Sequence, residues 1–163
     1  MRELFLSICY TGLTGLISFF VGAALPRHWF HAENPPFRSC KFEKDGKIYE
    51  RLNIRKWKGE ILDMSKIMNN ILPKKVSISA TMKDIQALIS ETCVAEAVHW
   101  WLCIISFGNY WIWRSVEGIL IWILCIVGNM PFILVQRYNR PHLQSLLKKM
   151  QKKEKYRKSE GLT

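Results

Sequence analysis

The feature that most constrains this fold is a set of three long apolar blocks. They contain no acidic or basic residue except one histidine. They cover residues 4–25, 97–113 and 118–136, and the histidine is His99. A helix of about 20 residues crosses the roughly 30 Å hydrocarbon layer of a membrane, and helices satisfy their own backbone hydrogen bonds there. The sequence therefore predicts an all-α integral membrane protein, with about three transmembrane helices plus interfacial amphipathic helices. Residues 1–163 are expected to form a single membrane domain.

The first block has an alternative interpretation as a cleaved signal peptide. Arg2 supplies a minimal basic start, and Gly22, Ala23 and Ala24 form a loose small-residue site. The apolar stretch is long for a signal peptide, however, and Leu25 and Pro26 follow the small residues. A retained span is the favoured prediction.

The distribution of Lys and Arg predicts the orientation. Of 24 such residues, 13 lie between positions 27 and 83, nine lie between 137 and 158, and Arg2 and Arg114 are the other two. Cationic loops stay on the cytoplasmic side. We therefore expect a multi-pass protein of a bacterial cell membrane with its N-terminus outside. Residues 26–96 would form a cytoplasmic segment, and residues 137–163 a basic cytoplasmic tail.

Two stretches have the pattern of interfacial amphipathic helices. In residues 51–63, apolar side chains such as Trp57 alternate with cations, and in the tail an apolar face recurs at helical spacing (Leu143, Leu146, Leu147 and Met150). Such helices lie at an anionic leaflet with the apolar face in lipid, so membrane lipid is an expected partner. Membrane attachment without chemistry is the simpler alternative. Thr81 or Asp84 is expected to cap the helix that leads into the second span.

Three ionisable residues precede and enter the second span. Glu96 and His99 are three apart and share a helix face, and Glu91 lies about two turns before His99. The pair could act in general base catalysis, with the carboxylate orienting the imidazole, or the two could simply neutralise each other. A di-iron site would need a second Glu-x-x-His motif, which the chain lacks. No metal is predicted.

Polar residues inside and after the third block form a second candidate cluster. Asn129 could donate to an oxyanion or a sugar hydroxyl, or bond a neighbouring helix. Arg137 and Arg140 are three apart and could grip a phosphate, or could be snorkelling cations. Pro131 could kink this helix. The sequence has no nucleophilic serine motif, so direct transfer is the simpler expectation for an enzyme.

The polar residues also occur in an order that resembles a known family, the glycosyl-4,4'-diaponeurosporenoate acyltransferases. The matching residues run from position 26 to 147 and include Phe42-Glu43-Lys44, Gly46-Lys47, Arg55-Lys56-Trp57-Lys58, Glu91-Thr92, Ala95-Glu96, His99-Trp100, Asn129, Pro131 and Gln136-Arg137-Tyr138-Asn139-Arg140-Pro141. The last run is the most specific.

This resemblance implies a small bacterial membrane acyltransferase of the staphyloxanthin biosynthesis type. It would esterify a sugar hydroxyl of a glycosylated lipid, either a carotenoid glycoside or another glycolipid, with a fatty acyl group. Acyl-CoA or an acyl carrier protein would be the donor, with no bound cofactor and no nucleic acid partner.

On this hypothesis the candidate residues take separate roles. His99 would be the general base, Glu96 its orienting partner and Glu91 a supporting or acceptor-binding carboxylate. The substrate-binding residues would be Asn129, Gln136, Arg137, Asn139, Arg140 and Trp57. The alternative function is a non-catalytic membrane scaffold or assembly subunit that binds anionic lipid.

Overall fold

The computed structural model describes residues 1–57 and 81–160, and these residues are mostly helical with no strand among them. Six α-helices follow in order: α1 Arg2–Ala24, α2 Lys47–Glu50, α3 Ile54–Trp57, α4 Met82–Ile105, α5 Gly108–Ile112 and α6 Val116–Ser159. Two 3₁₀ turns, Arg27–Trp29 and Lys41–Gly46, lie between α1 and α2. The prediction of an all-α protein is confirmed.

Three helical stretches are long and apolar enough to cross a membrane. They are Arg2–Ala24, Met82–Ile112 and Val116–Ser159. Large apolar side chains on them, such as Phe5, Phe20, Leu120 and Leu124, are exposed at the protein surface. Exposing so much apolar surface to water would be unfavourable at about 25 cal/mol per Å², whereas hydrocarbon accommodates it. The chain thus has the surface and the helices of a membrane protein.

The chain divides into two compact units. The first combines Met1–Pro26 with Val94–Leu134, and the second combines Arg27–Cys93 with Val135–Thr163. The predicted spans fall mostly in the first unit, and the predicted cytoplasmic segment and tail fall mostly in the second.

The first unit is held together by polar contacts around an interruption of the second predicted span. Helix α4 ends at Ile105 and α5 begins at Gly108, which leaves carbonyl groups without their usual helical donors. Tyr10 of α1 donates its hydroxyl to the Ile105 carbonyl at 2.7 Å, and Trp122 of α6 donates its indole N–H to the Cys103 carbonyl at 3.0 Å. Side chains from two other helices therefore cap this break. Helix α6 continues through Pro131.

We expect Gly108→Ala to destabilise the first unit, because a Cβ at Gly108 would lie 2.2 Å from the Tyr10 hydroxyl oxygen. Overpacking of this kind costs about 1–3 kcal/mol and would displace the ring that caps Ile105. Thermal unfolding of the protein in nanodiscs measures the effect. Gly128→Ala is the matched control, since its Cβ would meet nothing within 4 Å. Equal stability of the two variants would contradict this packing.

The second unit has a small apolar core. Its buried members are Ala32, Ile85, Ile89 and Cys93. Seven half-buried apolar side chains pack around them: Phe30, Phe37, Leu88, Leu143, Leu146, Leu147 and Met150. The last four form the apolar face of the tail, so the prediction that this face lies in lipid is wrong. Protein side chains on α4 and in residues 30–37 cover it instead.

The start of α4 has the predicted cap. The Thr81 hydroxyl accepts from the Asp84 N–H at 3.3 Å, and the Asp84 carboxylate accepts from the Thr81 N–H at 2.8 Å. This reciprocal arrangement satisfies donors at the start of the helix.

The predicted amphipathic helix of residues 51–63 is described only in part. Helix α3 covers Ile54–Trp57, and residues 58–63 lie outside the described part of the chain. Ile54, on the apolar face predicted to lie in lipid, is fully buried in the protein, so that prediction is wrong at this residue. The Trp57 indole donates to the Leu52 carbonyl at 2.9 Å.

Candidate functional site

His99 lies on α4 in the first unit and is tied to α6 by a hydrogen bond. Its Nδ1 is 2.8 Å from Oδ1 of Asn129, and Nδ2 of Asn129 donates to the Cys125 carbonyl at 2.8 Å. Because the amide nitrogen faces a carbonyl, the amide oxygen faces the imidazole and Nδ1 must carry the proton. The neutral ring then has its basic lone pair on Nε2, the nitrogen a general base needs. Asn129 thus bonds a neighbouring helix, one of its two predicted roles.

The plane of the His99 ring is fixed by a second residue of α6. Phe132 stacks on the imidazole with a centroid distance of 4.6 Å and an interplanar angle of 15°. A single hydrogen bond to Asn129 would still allow the His99 ring to rotate about the line of that bond. The stacked Phe132 ring restricts this rotation. Asn129 and Phe132 together hold one tautomer in one orientation.

Glu96 lies one turn before His99 and is fully buried. The Trp100 indole lies 3.4 Å from its carboxylate and is directed toward it as a donor. Its predicted role as orienting partner of His99 stays a prediction. In the structure, the partner of His99 Nδ1 is Asn129, a residue that the sequence predicted to bind substrate.

Glu91 belongs to the second unit and pairs with Arg27, to which the sequence pattern gave no role. Arg27 donates through Nε to Oε1 at 2.7 Å and through Nη2 to Oε2 at 3.2 Å. Both side chains are about one-third exposed. The two hydrogen bonds use both carboxylate oxygens of Glu91. They connect α4 with the segment that follows α1.

Arg137 is part of a partly buried network in the second unit. Its Nη1 contacts Glu43 at 2.5 Å, and its Nη2 donates to the Pro36 carbonyl at 2.7 Å. Glu43 is 2% exposed and also accepts from the Tyr49 hydroxyl and the Cys40 N–H. Three donors from three parts of the unit therefore converge on one carboxylate.

This network shifts the ionisation of its acidic members. Burial alone would raise the pKa of Glu43, but the hydrogen bonds from Tyr49, Cys40 and Arg137 outweigh it and lower the pKa below its ordinary value of 4.5. Burial, and then the neighbouring Glu43 carboxylate, raises the pKa of Tyr49 above its ordinary value of 10.0. Glu43 is thus ionised and Tyr49 neutral at physiological pH.

We expect Glu43→Gln to destabilise the second unit by about 1.5–3 kcal/mol at neutral pH, the usual contribution of a hydrogen bond to a charged group. Since folding lowers the pKa of Glu43, its ionised form stabilises the fold at neutral pH, and this contribution is lost as the pH falls below 4.5. Unfolding of wild type and variant across pH 3–7 measures the difference, which should narrow toward acid. The exposed Glu50→Gln is the control. A difference independent of pH would contradict the assignment.

Arg140 is almost completely buried, with 2% of its surface exposed. It donates to the Thr92 hydroxyl at 2.9 Å, the Thr92 carbonyl at 3.0 Å and the Phe37 carbonyl at 2.6 Å, and its guanidinium lies over the Phe37 ring. Protein acceptors therefore bind the Arg140 guanidinium, which the sequence predicted to bind a phosphate. In this position Arg140 joins α6, α4 and the segment that carries Phe37.

Comparison with known proteins places this set of residues in a family. The model of the family described as glycosyl-4,4'-diaponeurosporenoate acyltransferase matches residues 26–149. The chain belongs to the glycosyl-4,4'-diaponeurosporenoate acyltransferase family. A relative of that name from Staphylococcus aureus strain MRSA252 is 37% identical over 131 residues, covering 78% of each chain. One from strain Newman is 35% identical over 136 residues, covering 82% of this chain and 81% of the relative. No solved structure matches.

Membership in the glycosyl-4,4'-diaponeurosporenoate acyltransferase family makes this protein an acyltransferase. The matched residues 26–149 include all the candidate site residues. Among them, Gln136 and Asn139 are half-buried on α6, and Trp57 is half-buried at the end of α3. Their roles in substrate binding stay predictions.

Several residues of these networks have no role predicted from the sequence, among them Glu43, Thr92 and Phe132. Glu43 and Thr92 occur among the residues that carry the family resemblance, but their charge and polarity alone do not reveal their partners. Phe132 could not be predicted, because an apolar residue in an apolar span looks like its neighbours in the sequence. Its contact with His99 is visible only in the packed structure. Glu43 and Arg137 are 94 positions apart, so their contact could not be predicted from sequence spacing.

Proposed function

We propose that this protein transfers a fatty acyl group from a thioester donor to a sugar hydroxyl of a glycosylated lipid, with His99 as the general base. The hydrogen bonds from His99 to Asn129 and from Asn129 to Cys125 carry this proposal, because they leave the basic lone pair on Nε2. The relatives' name points to a glycosyl-4,4'-diaponeurosporenoate as acceptor. A carotenoid glycoside is therefore the first acceptor to test.

The proposed reaction needs one base that later acts as an acid. Nε2 of His99 accepts the proton of the sugar hydroxyl as its oxygen attacks the thioester carbonyl. The new C–O ester bond forms, the C–S bond breaks, and the imidazolium returns the proton to the departing thiolate. The stacked Phe132 and the bond to Asn129 keep the ring in place through both proton transfers.

Glu96 supports the charged intermediate in this proposal. It lies on the same helix, three residues before His99, and is fully buried. A carboxylate near an imidazole stabilises the imidazolium that forms during transfer, as the acidic member of a catalytic triad does. Arg140 is left out of the reaction, because its donors bond protein acceptors.

The orientation belongs to the same proposal. The cationic segments that flank the spans favour an N-terminus outside and a C-terminus in the cytoplasm. A cytoplasmic second unit would meet a donor made in the cytoplasm, either acyl-CoA or an acyl carrier protein.

A strain that lacks the gene tests the function directly. We expect its lipid extract to lose one acylated glycolipid and to accumulate the unacylated precursor, as measured by mass spectrometry. Purified protein in nanodiscs should restore the product when the precursor and an acyl thioester are supplied. An unchanged lipid profile, together with no transfer by the purified protein, would favour the scaffold function instead.

A further inference from the structure

The tail of α6 carries a set of lysines on the side opposite the core of the second unit. Lys148, Lys152 and Lys155 are exposed and follow one another at i, i+4 and i+7. At 3.6 residues per turn they fall within an arc of about 60°. We call these three residues the lysine stripe.

The core fixes the direction of the lysine stripe. The apolar side chains of the tail pack against the buried core of the second unit, and their mean direction around α6 lies about 160° from the stripe. The apolar side of the tail is therefore used within the protein, and the stripe faces outward. Insertion of the tail into lipid is not needed to explain its amphipathic pattern.

The surroundings of the stripe are strongly cationic. Residues 148–158 contain seven Lys or Arg and one acid, Glu154, and Glu154 pairs with Lys158 at 3.0 Å. Lys152 also lies over the ring of Tyr156, with its ammonium 5.7 Å from the ring centroid, which restrains its side chain. Such a surface attracts an acidic partner and speeds its encounter.

The shape of this surface favours a macromolecule over a small anion. The stripe is the convex side of a helix and rises about 10 Å along it, whereas small ligands bind in concave pockets that bury most of their surface. The groove beside the stripe, about 540 Å³, is lined by Lys83, Lys155 and Lys158 but also by Glu154, which offsets part of its positive charge.

We propose that the lysine stripe is the docking surface for an acidic carrier protein that presents the acyl group as a thioester. This inference rests on the proposed function, which requires a thioester donor, and it chooses between the two donor classes. A cationic and convex helix face favours an acidic protein surface as the partner.

The test uses the full chain in nanodiscs of neutral lipid, with acyl carrier protein from Staphylococcus aureus as the probe. We expect Lys148→Glu, Lys152→Glu and Lys155→Glu together to raise the KM for the acylated carrier protein about tenfold or more at low salt. The kcat and the KM for acyl-CoA should stay unchanged. Direct binding of the unacylated carrier protein should weaken by the same factor and should lose most of its salt dependence.

A matched variant controls for net charge. Arg38→Glu, Lys41→Glu and Arg51→Glu change three exposed cations elsewhere in the second unit by the same total charge, and we expect little change in either measurement. Equal losses in both variants would overturn the proposal. A rise in KM for acyl-CoA as large as that for the carrier protein would point to a small polyanion. An effect seen only with anionic lipid would point to the bilayer.

The binding measurement separates this inference from the proposed function. Carrier protein that binds wild type and not the stripe variant supports docking even if neither protein transfers an acyl group. Conversely, acyl transfer that survives in the stripe variant with unchanged kinetics for both donors overturns the docking surface and leaves the role of His99 intact.

Discussion

Replacing His99 with Gln is expected to lower the rate of acyl transfer by about 10²–10⁴, the usual contribution of a general base. Gln keeps a polar side chain that can still bond Asn129, but it has no basic nitrogen to accept the proton of a sugar hydroxyl. The loss should appear in kcat with little change in the KM for either substrate, because the residue acts on the transition state. Transfer in nanodiscs, followed by mass spectrometry of the acylated glycolipid, measures it.

Two further variants show whether the loss comes from the proposed geometry. Asn129→Ala removes the acceptor that holds Nδ1–H, and we expect a smaller fall of about 10- to 100-fold, the rate equivalent of one hydrogen bond of 1–3 kcal/mol. His31→Ala changes an exposed histidine and should leave the rate as in wild type. Near-full activity of His99→Gln would exclude this residue as the base, whatever Asn129 does.

Replacing Arg140 with Met is expected to destabilise the second unit by about 3 kcal/mol or more, because hydrogen bonds to a charged group each contribute about 1.5–3 kcal/mol and three are lost. The substitution removes the guanidinium donor from the Thr92 hydroxyl, the Thr92 carbonyl and the Phe37 carbonyl. Arg140→Lys should recover part of this loss, because a single ammonium can bond one or two of the acceptors. Thermal unfolding in nanodiscs measures both variants.

The kinetics of the folded Arg140→Lys protein distinguish a structural role from phosphate binding. With its donors on protein acceptors, Arg140 should affect the KM for the acyl donor little. Arg38→Met, which changes an exposed arginine of the same unit, is the stability control. A large rise in donor KM without any loss of stability would support the phosphate-binding role that the sequence first indicated.

Some local features of the second unit could be predicted and others could not. The Thr81–Asp84 cap is encoded in four consecutive residues, so it could be read from spacing alone. Helical spacing predicts the apolar face of the tail (Leu143, Leu146, Leu147 and Met150), but the prediction that this face lies in lipid is wrong. Periodicity shows that a face must be covered by something apolar, and it does not show whether lipid or protein covers it.

The candidate site shows the same division. Residue type and position singled out His99, Asn129, Arg137 and Arg140, because polar groups at a membrane boundary are costly unless they are used. Their partners were not predictable, since His99 and Asn129 are 30 positions apart and Arg140 and Thr92 are 48 apart. Such contacts depend on the packing of whole helices.

The sequence by itself determined that the chain is helical, that three stretches can cross a membrane, and which family it belongs to. Those properties follow from composition, local periodicity and ordered motifs, all of which act along the chain. Only the tertiary structure decided that Asn129 holds the histidine tautomer, that Arg137 meets Glu43, and that Arg140 is a structural link. Hydrogen bonds select partners by distance and direction, and helix packing alone brings those atoms within reach.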